Sequence, residues 1–175
     1  MRKACRKAAF GTALGVAGGL AASGFPNRVG LTRAQALVSM PGDLILPTAT
    51  VQADRVAVFE ASPSVVWPFV QELLDDYADL WEIPLQVAYR RDGELLALVS
   101  DFESIDQDPA EIDFQASLAV RLAASQDQSC FVHVRERYES SGLRPAVLIR
   151  GTMAVSAVTF KRWVAQVRKG LRAPR

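Results

Sequence analysis

The chain has 175 residues, half of them hydrophobic, and a formal net charge of +1. That length fits one ordinary domain with a remainder, and half apolar composition allows a sizeable core. Near-neutral, mixed charge excludes a strongly electrostatic partner such as nucleic acid.

Residues 1–7, MRKACRK, are basic, and residues 8–22, AAFGTALGVAGGLAA, are small, apolar and uncharged. Basic, then apolar, then small is the order of a secretory signal. The apolar run of about 15 residues falls short of the roughly 20 that a spanning helix needs. Residues 1–24 are therefore expected to be a leader or anchor and offer a route to membrane association. An exported or membrane-anchored location is favoured over a cytoplasmic one. Pro26, Gly30, Pro41, Gly42 and Pro47 punctuate residues 25–50, an expected linker with one short helical turn in LTRAQALVSM.

The folded domain is expected over 51–175. Residues 54–61 read as a strand, with Ser62 placed to cap a helix and Pro63 at its first position. Val66, Phe69, Val70, Leu73, Leu74 and Tyr77 recur at helical spacing, and Trp81 closes the stretch. Pro68 removes the bond back to Ser64, and a kink is expected in that first turn. Strands at 83–91 and 94–100 flank Asp92-Gly93, a hairpin-turn pair. An acidic connection, 101–113, leads to strands at 114–124 and 130–139. From Pro145 to Leu171 the pattern is helical. Strand, helix, antiparallel strands and a long last helix make an α+β arrangement.

Little in the chain points to catalysis. His133 is the one histidine, with no motif-linked nucleophile, so no triad can be read. It is either a sheet-face side chain satisfied by a neighbour or a polar group facing a ligand. Asp101, Glu103, Asp106, Asp108, Glu111 and Asp113 lack the glycine and spacing of a calcium loop. The two cysteines, Cys5 and Cys130, show no zinc spacing. No metal or cofactor is expected. Arg135 and Arg137 share a strand face with Phe131 and His133, and either pair with the acidic connection or bind a ligand anion.

Ala61, Pro63, Val66, Trp67, Pro68 and Phe69, with Met40-Pro41-Gly42-Asp43 ahead of the strand and Arg135-x-Arg137 near the end, resemble the SRPBCC or START-like superfamily. The likeness is to its polyketide-cyclase/dehydrase-like branch and covers about residues 38–175. The chain departs from that pattern in the glycine-free DDYADLWEIP and in Cys130-Phe131-Val132. The resemblance implies a helix-grip: a curved antiparallel sheet wrapped around a long C-terminal helix, enclosing a cavity for apolar molecules. Trp67, Phe69, Trp81, Tyr89, Phe114, Phe131, His133, Arg135, Met153, Phe160 and Trp163 are then the expected ligand-facing residues. The leading expectation is noncatalytic binding of a lipid, isoprenoid or polyketide-like molecule. The alternatives are a cyclase or dehydratase using His133 or Tyr89 for proton transfer, and a membrane-associated interaction module.

Overall fold

The computed structural model describes residues 25–40, 42–81, 85–100, 115–125, 127–139 and 143–172. The expected leader, the acidic connection and Phe114 lie outside them, as does the side chain of Trp81. In chain order the elements are β1 (Arg28–Val29), α1 (Arg33–Ala36), β2 (Val51–Phe59), α2 (Pro63–Val66), α3 (Pro68–Trp81), β3 (Leu85–Arg91), β4 (Leu95–Ser100), β5 (Gln115–Ala124), β6 (Cys130–Glu139) and α4 (Leu143–Arg172). The strands form one sheet in the order β1-β2-β6-β5-β4-β3. β1 runs parallel to β2, and every other pairing is antiparallel. A curved sheet holding a long C-terminal helix is the helix-grip fold.

Local chemistry explains most of the boundaries. Asp92-Gly93 turns β3 into β4, with Gly93 at φ +77° and the Glu94 amide donating to the Arg91 carbonyl. Pro68 interrupts the hydrogen-bond ladder and so divides α2 from α3. Trp67 nevertheless keeps helical angles, φ −52° and ψ −42°. Its amide donates to the Pro63 carbonyl at 2.8 Å. The proline costs little here because the bond it removes belongs to the first turn. α4 passes through Gly151 without a break.

The core lies between α4 and the sheet. Phe59, Tyr77, Leu118, Leu122, Val132, Ile149, Met153, Phe160 and Trp163 are all almost fully buried in one cluster. Trp163 stands edge-on to Phe59 with ring centres 5.6 Å apart, and its indole N–H donates to the Phe69 carbonyl at 2.7 Å. Over the described residues this layer is packed with side chains.

Within residues 25–40 and 42–50, part of the expected linker, several contacts anchor the chain to the sheet. The Asn27 carbonyl accepts from the Asp54 amide at 2.7 Å, and β1 pairs with β2. Thr32 and Gln35 form a capping box that starts α1. The strap that follows crosses the sheet face turned away from α4, where Met40 is buried against Ala97 and Ala119. Gly42, at φ +106°, lies so close that an added Cβ would meet the Ala119 methyl at 3.0 Å.

Candidate functional site

Three arrangements in the fold have the makings of a site. The first is inside the core. Arg55 of β2 and Glu136 of β6 form an ion pair with neither side chain exposed. Glu136 also accepts from Tyr77 at 2.7 Å, Tyr138 at 2.6 Å and Ser156 at 2.9 Å. The second nitrogen of the Arg55 fork donates to the Met153 carbonyl and to Ser156. Burial first, and then the Glu136 carboxylate, push both phenols well above their usual range, so both stay donors. The cluster is sealed from solvent, and it ties β2, β6, α3 and α4 together.

The second arrangement is on the opposite face. Asp54 accepts from His133 and from Arg135, each at 2.7 Å, and from Gln52 at 2.7 Å. Burial would raise the Asp54 carboxyl, but hydrogen bonds from His133, Gln52 and Arg135 outweigh it and hold it below the usual range. Arg135 also grips the strap, donating to both Asp43 oxygens and to the carbonyls of Ala36 and Val38. Arg137 donates to the Asp43 carbonyl. This network fastens Ala36, Val38 and Asp43 to the sheet; the Arg135 donors are engaged by the protein itself, while Arg137 Nε is buried without a hydrogen-bond partner.

The third arrangement is an open groove of about 920 Å³. β1 covers β2 only at Asp54 and Arg55, so the edge of β2 beyond them is left bare. Val29, Gly30 and the edge of β2 from Val56 through Ala57 to Val58 line it on the sheet side, and Phe160, Val164 and Ala165 of α4 line it on the helix side. Lys161, Arg168, Lys169 and Arg172 stand along the same helix face. Lys161 lies over the Phe25 ring at 5.7 Å. Among the described residues no carboxylate is ion-paired with any of the four cations. A second recess continues past Val58 to Glu60 and Leu171, sharing Arg168 and Arg172.

The residues singled out in the sequence fall in different places. Phe160 alone of them lines this groove, and Met153 and Trp163 belong to the filled core. Trp67 and Phe69 pack against that core, half-buried. Tyr89 is 50% exposed on the edge strand β3. Phe131, His133 and Arg135 lie on the strap-covered face, so the sheet separates them from α4. The alternation that places them there was visible in β6, where Val132 and Val134 have the opposite parity and mark the core side. Arg55, Glu136 and Tyr138 were missed as a set. Arg55 is in phase with Ala53, Ala57 and Phe59, which signals an inward arginine in need of an acid. Burial pushes the Cys130 thiol up to about 11, which leaves it protonated and unreactive near neutral pH. Among the described residues no three His, Cys, Asp or Glu side chains are grouped to hold a metal, and no helix is long and apolar enough to cross a membrane.

The topology defines the class: an α+β helix-grip fold. No family model and no curated protein matches the chain. Solved structures similar to it include the Zhui aromatase/cyclase from Streptomyces sp. R1128, at 13% identity and a TM-score of 0.42, covering 70% of this chain and 96% of that one. Protein MLL2253 from Mesorhizobium loti is 14% identical, with a TM-score of 0.45 and coverage of 69% and 99%. Protein Ms6760 from Mycobacterium smegmatis is 12% identical, with a TM-score of 0.48 and coverage of 79% and 98%.

Proposed function

We propose that the chain binds an amphipathic, anionic small molecule in the groove between the bare edge of β2 and the last turns of α4. The observation that carries this reading is the meeting of an apolar floor with a row of cations, none of them ion-paired with a carboxylate among the described residues. An apolar chain laid between the β2 edge and Val29 and Val164 gains about 0.8 kcal/mol for each methylene taken from water. The acidic end of the ligand meets the helix cations at the rim. The packed layer between α4 and the sheet supports binding at this edge rather than deep inside. The sealed ionic cluster, the engaged His133 and the protonated Cys130 offer no free acid–base pair or nucleophile to the groove, so the reading is binding without chemical change.

The test is calorimetric titration of the full chain with dodecanoate below its micelle concentration. Saturable binding of one molecule per chain is expected. Val58→Asp and Ala165→Asp place a charge on exposed floor positions and should abolish binding while leaving the thermal melt unchanged. Absence of saturable binding, or binding untouched by both substitutions, overturns the reading.

A further inference from the structure

The rim of the groove has the charge and geometry of a phosphate site. Lys161, Arg168, Lys169 and Arg172 bring four positive charges to one face of α4. Two features oppose them. Glu60 lines the adjoining recess, and the C-terminal end of a helix carries the equivalent of about half a negative charge. Together these leave an excess of between two and three positive charges. A carboxylate neutralises one charge, whereas a phosphate monoester carries about −1.5 to −2 at neutral pH.

Arg168 and Arg172 are one helical turn apart, the spacing at which side chains stand side by side, about 5–6 Å between Cβ atoms. Two planar guanidinium forks at that separation suit the several oxygens of one phosphate, each fork donating two parallel hydrogen bonds. One fork already saturates a carboxylate. The apolar floor next to them distinguishes the site from one for inorganic phosphate.

Resting on the binding function proposed above, we infer that the groove takes an apolar chain headed by a phosphate or diphosphate. The chain lies along the β2 edge, and the head is held between Arg168 and Arg172 with Lys161 and Lys169 beside it. Such an amphiphile exists either free in solution or as the headgroup of a lipid in a bilayer.

The experiment keeps the alkyl chain constant and varies the head. The full chain is titrated with dodecyl phosphate, dodecanoate, dodecyl maltoside and inorganic phosphate, all below micelle concentrations. Dodecyl phosphate is expected to bind at least about tenfold more tightly than dodecanoate, a difference of ~1.4 kcal/mol. The Arg168→Gln/Arg172→Gln variant, altered only at exposed positions, should keep its melt and lose that difference. Equal binding of dodecyl phosphate and dodecanoate overturns the phosphate head and leaves the amphiphile reading standing. Failure of all three alkyl probes overturns both. Inorganic phosphate binding as tightly as dodecyl phosphate overturns the role of the chain. Sedimentation with vesicles of phosphatidylcholine, with and without phosphatidic acid, separates the sources. Capture by phosphatidic acid that dodecyl phosphate reverses supports the site with a bilayer as source. No capture, with tight dodecyl phosphate binding, supports it with a free amphiphile. Capture that dodecyl phosphate does not reverse overturns the inference as surface adsorption.

Discussion

Replacing Arg55 by methionine tests the account of the core most directly. The substitution keeps an unbranched, apolar chain of similar length and removes the one positive charge facing Glu136. Glu136 then retains three hydroxyl donors, Tyr77, Tyr138 and Ser156, and no counter-charge. Removing one partner of a buried ion pair costs about 3–5 kcal/mol, because the other charge is stranded out of water. Against a total stability of roughly 5–15 kcal/mol the loss is severe. At about 2–4 °C per kcal/mol for a chain of this size, the melting temperature should fall by roughly 6–20 °C.

The double variant Arg55→Met/Glu136→Gln separates charge from packing. Glutamine keeps a carbonyl acceptor for the tyrosine donors and carries no charge. The double variant should therefore be no less stable than Arg55→Met; since Glu136→Gln alone strands Arg55 at a cost of about 3–5 kcal/mol, the coupling energy should exceed ~2 kcal/mol. Urea unfolding followed by far-ultraviolet circular dichroism and tryptophan fluorescence measures the two single variants and the double. Additivity of the single changes to within about 0.5 kcal/mol would refute the reasoning. Should Arg55→Met not fold, Tyr77→Phe removes one hydrogen bond to the carboxylate and should cost about 1.5–3 kcal/mol.

Two further outcomes follow from local geometry. The folded-state pKa of Asp54 is depressed from 3.8, so its contribution to stability is present above that value and is lost as pH falls through the lowered one. In Asp54→Asn the fall in urea stability below pH 3.8 should be shallower than in the parent chain; identical slopes would show that Asp54 is not a source of the acid sensitivity. Gly30 sits at φ +83°, and an added Cβ would meet the Val56 carbonyl oxygen at 2.4 Å. Gly30→Ala should cost about 1–3 kcal/mol, from backbone strain and from displacement of β1, and should weaken dodecanoate binding by opening that end of the groove. Full binding with unchanged stability would show that β1 is not a wall of the site.

The sequence was most legible where one local rule decides the outcome. Alternation located β6 at 130–139, Asp92-Gly93 located the hairpin, and Ser62-Pro63 located the start of α2. β2 began earlier than expected, at Val51 rather than Asp54, because Val51, Gln52 and Ala53 pair with Tyr138, Arg137 and Glu136. A partner strand some eighty residues away leaves no local signal. The same limit hid the packing of residues 25–50: Arg135 fixes that segment across 92 residues of chain at Asp43, and proline and glycine punctuation reads alike in a linker and a strap. For the site, periodicity gave which residues share a face and the resemblance suggested which face holds a ligand. His133 and Arg135 were grouped correctly with each other, while the side of the sheet they occupy depends on the strap above them. Nothing local in the sequence sets the α4 cations opposite the bare edge of β2, because that edge is a property of topology.

That bare edge has a simple origin in lengths. α4 has 30 residues and is ~45 Å long. β2, with nine residues, spans ~30 Å, and six strands measure ~24 Å across. The helix therefore outruns the sheet whatever its direction. Its apolar stripe has to continue to Val164, Val167 and Leu171 for the part over the sheet to be buried, and β1, only two residues long, stops short of covering what remains. Near its basic last turn α4 still packs on the core through Val167 and Leu171, and the groove opens beside it because no strand continues past the β2 edge. Lengthening β1 by pairing a further residue with Val56 would close the groove and bury the same valines. The chain instead places Gly30 at that point, in a conformation that turns the backbone away. A fold seeking only stability gains by extending the strand. Ending it at a left-handed glycine keeps the β2 edge from Val56 to Val58 open, which is where the proposed ligand would lie.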